Sequence, residues 1–147
     1  MNDPKIIDEM LRTAKTIAVV GMSDKTWRAS HNIGRYLHEN GYRVLPVNPA
    51  LTEVLGLKSY PDLDAAQTAA RAEGSSGIDL VDVFRASEAV PPIVDDVIRL
   101  RIPYLWLQDG VVHDEAVARS QAAGVKCVQN DCIFREHAAR PALHTQR

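Results

Sequence analysis

The loop that follows the first apolar, β-branched run of the sequence combines residues suited to binding phosphate. The run and loop read VVGMSDKTWRAS. Gly21 permits a sharp turn and lets a ligand approach the backbone. Ser23 and Ser30 supply hydroxyls, and Lys25 and Arg28 supply two cations. We expect Ser30 to cap a helix whose first free N–H groups add partial positive charge. The loop therefore predicts a pyrophosphate site, and the alternative is a solvated strand-to-helix turn that binds nothing.

The spacing within this loop disfavours NAD as the ligand. The dinucleotide fingerprint is G-x-G-x-x-G, followed about 20 residues later by an acid that binds the ribose. After Gly21 no glycine occurs until Gly34, and the second predicted strand ends in Asn48-Pro49. Asn48 forms hydrogen bonds but carries no charge. A G-x-x-x-x-G-K-[ST] phosphate loop is absent from the sequence.

Alternating predicted strands and helices position this loop. The predicted strands are Thr16–Val20, Arg43–Val47, Leu57–Tyr60, Ile78–Phe84, Pro103–Gln108 and Val125–Gln129. The predicted helices cover residues 4–14, 30–40, 62–73, 87–101 and 114–124, with a short one from Asp131. Parallel strands joined by crossover helices require helices on both faces of the sheet. We therefore predict one doubly wound, mostly parallel α/β domain, Rossmann-like and three-layered (α/β/α).

The predicted order of the strands places the loop at a ligand site. With the order 3-2-1-4-5, the sheet reverses direction between the Thr16 and Ile78 strands. Ligands of such sheets bind at this reversal, beyond the carboxyl ends of the strands. We expect the loop at Gly21 to face Phe84 and Arg85, with Asn48 alongside. The whole of residues 1–147 is assigned to this domain, with a core over 4–138 and a frayed end from residue 139.

The composition of the chain limits the kinds of binding partner and the cellular compartment that we expect. The 147 residues are 46% hydrophobic and 24% charged, with a net charge of −2, which is typical of a soluble globular protein. No basic excess indicates nucleic acid, and the apolar stretches are too short for a bilayer. Cys127 and Cys132 match no redox or zinc motif, so we predict a cytoplasmic protein without a metal site. A homodimer is possible, because pairs are the commonest oligomers.

Five segments, in order along most of the chain, carry a resemblance to a known family. They are VVGMS, YRVLPVNP, IDLVDVFR, LWLQDGVV and NDCIFREH. As a set they resemble the small single-domain CoA-binding proteins, which are similar to the CoA-binding Rossmann domain of succinyl-CoA synthetase. The resemblance implies a protein that binds CoA or acyl-CoA and has no established catalysis. It places the 3′-phospho-ADP moiety across the switch point of the sheet.

The same resemblance assigns roles to particular residues. A carboxylate in place of Asn48 would repel the 3′-phosphate of CoA. The implied contacts are Gly21, Met22, Ser23 and Ser30 at the diphosphate, Lys25 and Arg28 as phosphate cations, Asn48 and Pro49 beside the adenosine, Phe84 and Arg85 on the opposite wall, and Gln108 towards the pantetheine.

An enzyme is the alternative, either NAD(P)-linked or acyl-transferring at the same nucleotide site. Cys132 and His137, near Asp131 and Glu136, are the best candidates, because a thiol near a histidine can act as a nucleophile. Their spacing puts them on different faces of a short helix, and a free cysteine is more often simply buried. We therefore expect Cys132 to pack under the sheet and His137 to cap the last helix.

Two further side chains near the loop leave alternatives open. His31 could contact a phosphate, although a surface position is the simpler expectation. Trp27 is an indole in a polar loop, which is unusual. It either covers a bound adenine or lies at a subunit contact.

Overall fold

The computed structural model describes residues 2–145, which form alternating strands and helices. The strands are β1 (Thr16–Val20), β2 (Arg43–Val47), β3 (Glu53–Val54), β4 (Leu57–Lys58), β5 (Leu80–Val83), β6 (Tyr104–Leu107) and β7 (Lys126–Val128). The α-helices are α1 (Pro4–Thr13), α2 (Ala29–Glu39), α3 (Leu63–Ala72), α4 (Val90–Arg99), α5 (Asp114–Ala122) and α6 (Ile133–Ala138). Short 3-10 helices cover Ser87–Ala89 and Pro141–Thr145.

The main sheet has five strands in the order β2-β1-β5-β6-β7, and each neighbouring pair is parallel. The chain moves outward from β1 to β2 on one side and from β5 to β7 on the other. The order therefore reverses between β1 and β5, as the sequence predicted.

Two hydrophobic cores lie on opposite faces of this sheet. Every residue of β1 is buried, since helices cover both faces. Ala18 and Val20 belong to the core shared with α3, α4 and α5. Ile17 and Val19 belong to the core shared with α1, α2 and α6. This alternation confirms the predicted doubly wound, three-layered α/β/α architecture.

The predicted third strand of the main sheet is wrong. Leu57–Lys58 pairs antiparallel with Glu53–Val54 in a separate small sheet. The two residues between them, Leu55 and Gly56, have positive φ angles of 56° and 74°, so the chain folds back in a tight turn. Only Tyr60 reaches the main sheet, through an isolated parallel bridge to Val47.

The predicted cap of α2 and the predicted chain end also differ from the structure. Helix α2 begins at Ala29, and Ser30 lies inside its first turn rather than at its cap. At α5 the cap is His113, whose Nδ1 accepts a hydrogen bond from the Ala116 N–H at 3.1 Å. Near the end, Leu143 is buried within the 3-10 helix, where fraying was expected. Residues 146 and 147 lie outside the described part.

One carboxyl group lies in the middle of the sheet. Asp82 in β5 pairs in register with Val19 of β1 and Trp106 of β6. Its side chain is completely buried, and within residues 2–145 neither carboxyl oxygen has a hydrogen-bond partner. Burial raises the pKa of Asp82 well above its ordinary value, because the charged form loses its hydration.

Asp82→Asn is expected to flatten the dependence of stability on pH. The unfolded chain releases the Asp82 proton near pH 4, whereas the folded state retains it to higher pH. The free energy of unfolding of the native chain should therefore fall as pH rises from about 4 towards the folded pKa, by about 1.4 kcal/mol for each pH unit. Asparagine has a similar size and cannot ionise, so this contribution disappears.

Urea denaturation between pH 5 and pH 8 measures this slope. The exposed Glu53→Gln substitution in β3 is the control and should keep the native pH dependence. Parallel stability curves for the native chain and Asp82→Asn would contradict the prediction.

Candidate functional site

A cleft of about 690 Å³ opens at the carboxyl ends of the strands, where the strand order reverses. Nine of the predicted residues line it: Gly21, Ser23, Lys25, Arg28, Ser30, Asn48, Phe84, Arg85 and Gln108. Sequence reasoning missed six others: Asp24, Ala29, Ala50, Leu51, Asp109 and Val111. Five of them follow a predicted strand within four residues, and Ala29 directly precedes the predicted helix at Ser30, so proximity to strand ends and to this helix start was the signal that could have identified them.

The loop between β1 and α2 is fastened to the helix by side chains. The Ser30 Oγ accepts a hydrogen bond from the Ser23 N–H at 3.0 Å, and the Ser23 Oγ accepts one from the Lys25 N–H at 3.0 Å. The ring Nδ1 of His31 lies 3.0 Å from the Ser23 carbonyl oxygen. His31 is therefore buried, and the expectation of a surface histidine is wrong. These bonds give the loop a defined shape at the helix N-terminus.

Gly21 is required where three strand ends meet. Its φ angle is +85°, and its N–H donates to the Val47 carbonyl at 2.8 Å. A Cβ at this position would lie 2.4 Å from the Phe84 carbonyl oxygen. Glycine thus allows the loops after β1 and β5 to approach each other closely.

The side chain of Met22 does not line the cleft. Its side chain is fully buried against α2, where a Cβ on Gly34 would lie 2.4 Å from the methionine Cε. Gly34 therefore provides space for Met22, which is a packing role. Only the Met22 backbone remains near the predicted diphosphate position.

Both polar atoms of the Asn48 side chain are used within the protein. The Nδ2 donates to the Met22 carbonyl at 3.0 Å, and the Oδ1 accepts from the Ala50 N–H at 3.0 Å. An ionised aspartate could accept the second bond but could not donate the first. Asn48 therefore joins the loops after β1 and β2, which explains the amide in structural terms. Pro49 is exposed and lies outside the cleft lining.

Positive charge collects on one side of the cleft. Arg28 is the N-cap residue of α2 and makes no capping hydrogen bond with its side chain, so the partial positive charge of the helix faces the cleft. Among the described residues, Arg28 and Arg85 have no carboxylate within 4.0 Å. Lys25 has only Asp24, with Nζ and Oδ1 4.0 Å apart. These cations remain available for an anion.

The remaining acid of the cleft is neutralised by an arginine. Both Asp109 oxygens accept hydrogen bonds from the Arg135 guanidinium, at 3.0 and 3.1 Å. This guanidinium lowers the pKa of Asp109. Nearby, the Oε1 of the buried Gln108 accepts from the Ile133 N–H at 3.2 Å. Both contacts join the β6 end of the cleft to α6.

The candidate nucleophile lies outside the cleft lining. Cys132 is buried at the start of α6, as predicted. His137 is also completely buried and does not cap the helix as we expected; its Nδ1 lies 2.7 Å from the Tyr36 hydroxyl, and its ring stacks on His144 at 4.6 Å. Beside Cys132, burial raises the pKa of Asp131, and so does a hydrogen bond that its protonated carboxyl group donates to the Glu136 carboxylate. These contacts define a packed helix end.

Two other properties concern the described residues as a whole. Residues 2–145 contain no group of three or more histidine, cysteine or carboxylate side chains arranged to hold a metal ion. In that same range, every helix is too short or too polar to cross a bilayer.

The fold and the cleft define a Rossmann-like domain with lysine and arginine side chains in the cleft at its switch point. Residues 15–138 match the CoA binding domain family, and the chain belongs to this family. The chain is 36% identical over 132 residues to YneT of Bacillus subtilis (strain 168), covering 90% of this chain and 92% of YneT. The resemblance identified from the sequence is thus confirmed.

Solved structures agree with this assignment. A hypothetical protein from Pyrococcus horikoshii OT3 is 35% identical with a TM-score of 0.82, covering 93% of this chain and 91% of that one. The dinucleotide forming acetyl-coenzyme A synthetase 1 of Ca. Korarchaeum cryptofilum has a TM-score of 0.66 at 24% identity. That match covers 83% of this chain and 27% of the synthetase, and it shows a shared fold.

Gly21→Ala is expected to destabilise the protein more than Gly74→Ala. Both glycines have positive φ angles, +85° and +84°, so alanine costs about 1–2 kcal/mol at either position. A Cβ at Gly74 meets no atom within 4 Å, whereas one at Gly21 overlaps the Phe84 carbonyl. This overlap should add about 1–3 kcal/mol. Urea denaturation of both variants measures the difference, and equal losses would show that the strand ends can separate freely.

Proposed function

We propose that this protein binds CoA or acyl-CoA in the cleft, with the 3′-phospho-ADP moiety across the switch point, and acts without catalysis of its own. The observation that carries the proposal is the cluster of Lys25, Arg28 and Arg85 beside the uncapped start of α2. A CoA molecule brings a diphosphate and a 3′-phosphate to one site, and such a cluster matches that charge. Membership of the CoA binding domain family supports the same ligand.

The diphosphate is assigned to the loop after β1. Gly21 allows close approach to the backbone, and Ala29 and Ser30 bring the first turn of α2 to the cleft. The Ser30 hydroxyl accepts a bond from Ser23 and still has its own hydrogen to donate. Met22 contributes through its backbone, since its side chain is buried.

The 3′-phosphate is assigned to the arginines. A guanidinium forms paired hydrogen bonds with phosphate oxygens, and neither Arg28 nor Arg85 has a carboxylate within 4.0 Å among residues 2–145. The adenosine is assigned to the end of β2, beside Asn48 and Pro49, and the pantetheine to the end of β6, near Gln108. No carboxylate at the end of β2 is available to bind the ribose of NAD, because Asn48 occupies that position.

A ligand panel tests the proposal. Thermal unfolding is measured with CoA, acetyl-CoA, dephospho-CoA, NAD and ATP, because a ligand that binds only the folded state raises the melting temperature. We expect the largest rises with CoA and acetyl-CoA and a smaller one with dephospho-CoA. A rise with NAD alone would overturn the proposal and favour a redox enzyme. Equal rises with CoA and dephospho-CoA would contradict the 3′-phosphate assignment.

Arg28→Ala should weaken the binding of CoA and leave the fold intact. A hydrogen bond to a charged group contributes about 1.5–3 kcal/mol, which corresponds to about a 10- to 100-fold loss of affinity. Isothermal titration calorimetry measures the loss. Arg35→Ala is the matched control, because Arg35 is an exposed arginine on the same helix outside the cleft lining. Equal CoA affinities of the two variants would show that Arg28 does not contact the ligand.

A further inference from the structure

The two tryptophans of the chain have opposite environments. Trp106 is completely buried in β6, and its Nε1 donates to the Asp131 carbonyl at 2.9 Å. Trp27 is 75% exposed in the loop between β1 and α2. A ligand that buried this ring would remove a large apolar area from water, which favours binding.

The backbone around Trp27 is held in a fixed turn. The Arg28 N–H donates to the Lys25 carbonyl at 3.0 Å, which closes the turn. The Asn32 side-chain amide donates to the Thr26 carbonyl at 3.0 Å and to the Arg28 carbonyl at 3.2 Å. These bonds fasten the residues on both sides of the indole. The backbone on both sides of Trp27 is therefore held by hydrogen bonds.

The position of this turn puts the Trp27 backbone next to residues that line the cleft. Lys25 and Arg28, on either side of it, both line the cleft. Ala50 and Leu51, after β2, supply apolar surface to the same cleft. The Asn48 bond to Met22 ties the two loops together. A flat base at the end of β2 would thus have aliphatic side chains beside it and an indole within the neighbouring loop.

We propose that Trp27 is a base-stacking residue, whose indole closes over the adenine of the bound CoA by stacking on its face. This inference rests on the proposed CoA site. Stacking accepts any flat base, since every base has a π-face. Selectivity for CoA then resides in the phosphate contacts, and Trp27 supplies affinity.

Calorimetry on three variants tests this role. Trp27→Ala should reduce CoA affinity about 5- to 100-fold, the range that alanine substitutions at base-stacking aromatics produce, and Trp27→Phe should retain most of it. Phe134→Ala is the control, because Phe134 is an exposed aromatic that packs on Tyr36 outside the cleft lining. Phosphopantetheine, which lacks the purine, should bind the native chain and Trp27→Ala equally.

Fluorescence gives a readout that a purely structural role would not change. Trp27→Phe leaves Trp106 as the one tryptophan of the chain, so the difference from the native protein reports Trp27. Saturating CoA or adenosine 3′,5′-bisphosphate should reduce the access of acrylamide to Trp27 and alter its emission. Phosphopantetheine should leave both unchanged.

The outcomes separate this inference from the proposed function. If the native chain binds CoA and Trp27→Ala binds it within twofold, the stacking role is overturned and the CoA site stands. Unchanged acrylamide access to Trp27 at saturating CoA overturns it in the same way. Absence of CoA binding by the native chain overturns both.

Discussion

The side chain of Asn48 makes the connection on which the cleft depends. Through its amide it holds the loop after β1 against the loop after β2, by donating to the Met22 carbonyl and accepting from the Ala50 N–H. Gly21 makes the corresponding approach to the loop after β5 possible, because it has no Cβ to meet the Phe84 carbonyl. These two residues bring three strand ends together, and the remaining features of the site are arranged around that junction.

The positive charge of the cleft comes from cationic side chains that the hydrogen bonds of this junction do not use. The Ser30 hydroxyl and the His31 imidazole each contact the Ser23 backbone at the start of α2, so they stabilise the loop. The side chains of Lys25 and Arg28 are not needed to stabilise the loop, and Arg28 makes no capping hydrogen bond with its side chain. Short polar side chains thus define the shape of the loop, while the exposed cations supply its electrostatic potential.

The side of the cleft nearest β6 depends on α6. Gln108 accepts from the Ile133 N–H, and Asp109 pairs with Arg135, so two contacts join the helix to the end of the strand. Trp106 in β6 also stabilises this side of the cleft, because its Nε1 donates a hydrogen bond to the Asp131 carbonyl just before α6. The buried Asp82 lies next to Trp106 in register, and among residues 2–145 neither of its carboxyl oxygens has a hydrogen-bond partner to offset its burial. Such a cost within the central sheet makes the stability of the domain sensitive to pH.

The sequence by itself determined the order of the elements, the parallel sheet and the position of its switch point. Alternation of polarity and the glycine after β1 are local properties, and they limit the backbone to a few topologies. Tertiary structure decided where individual side chains point. Met22 faces the core because Gly34 opposes it, His31 is buried because Ser23 folds back onto it, and Leu57–Lys58 leaves the sheet because a two-residue turn pairs it with Glu53–Val54. These partners lie at most 12 residues apart, but their side-chain directions depend on how the strand and helix pack, so the hydrogen bonds and contacts are fixed only when the chain has folded.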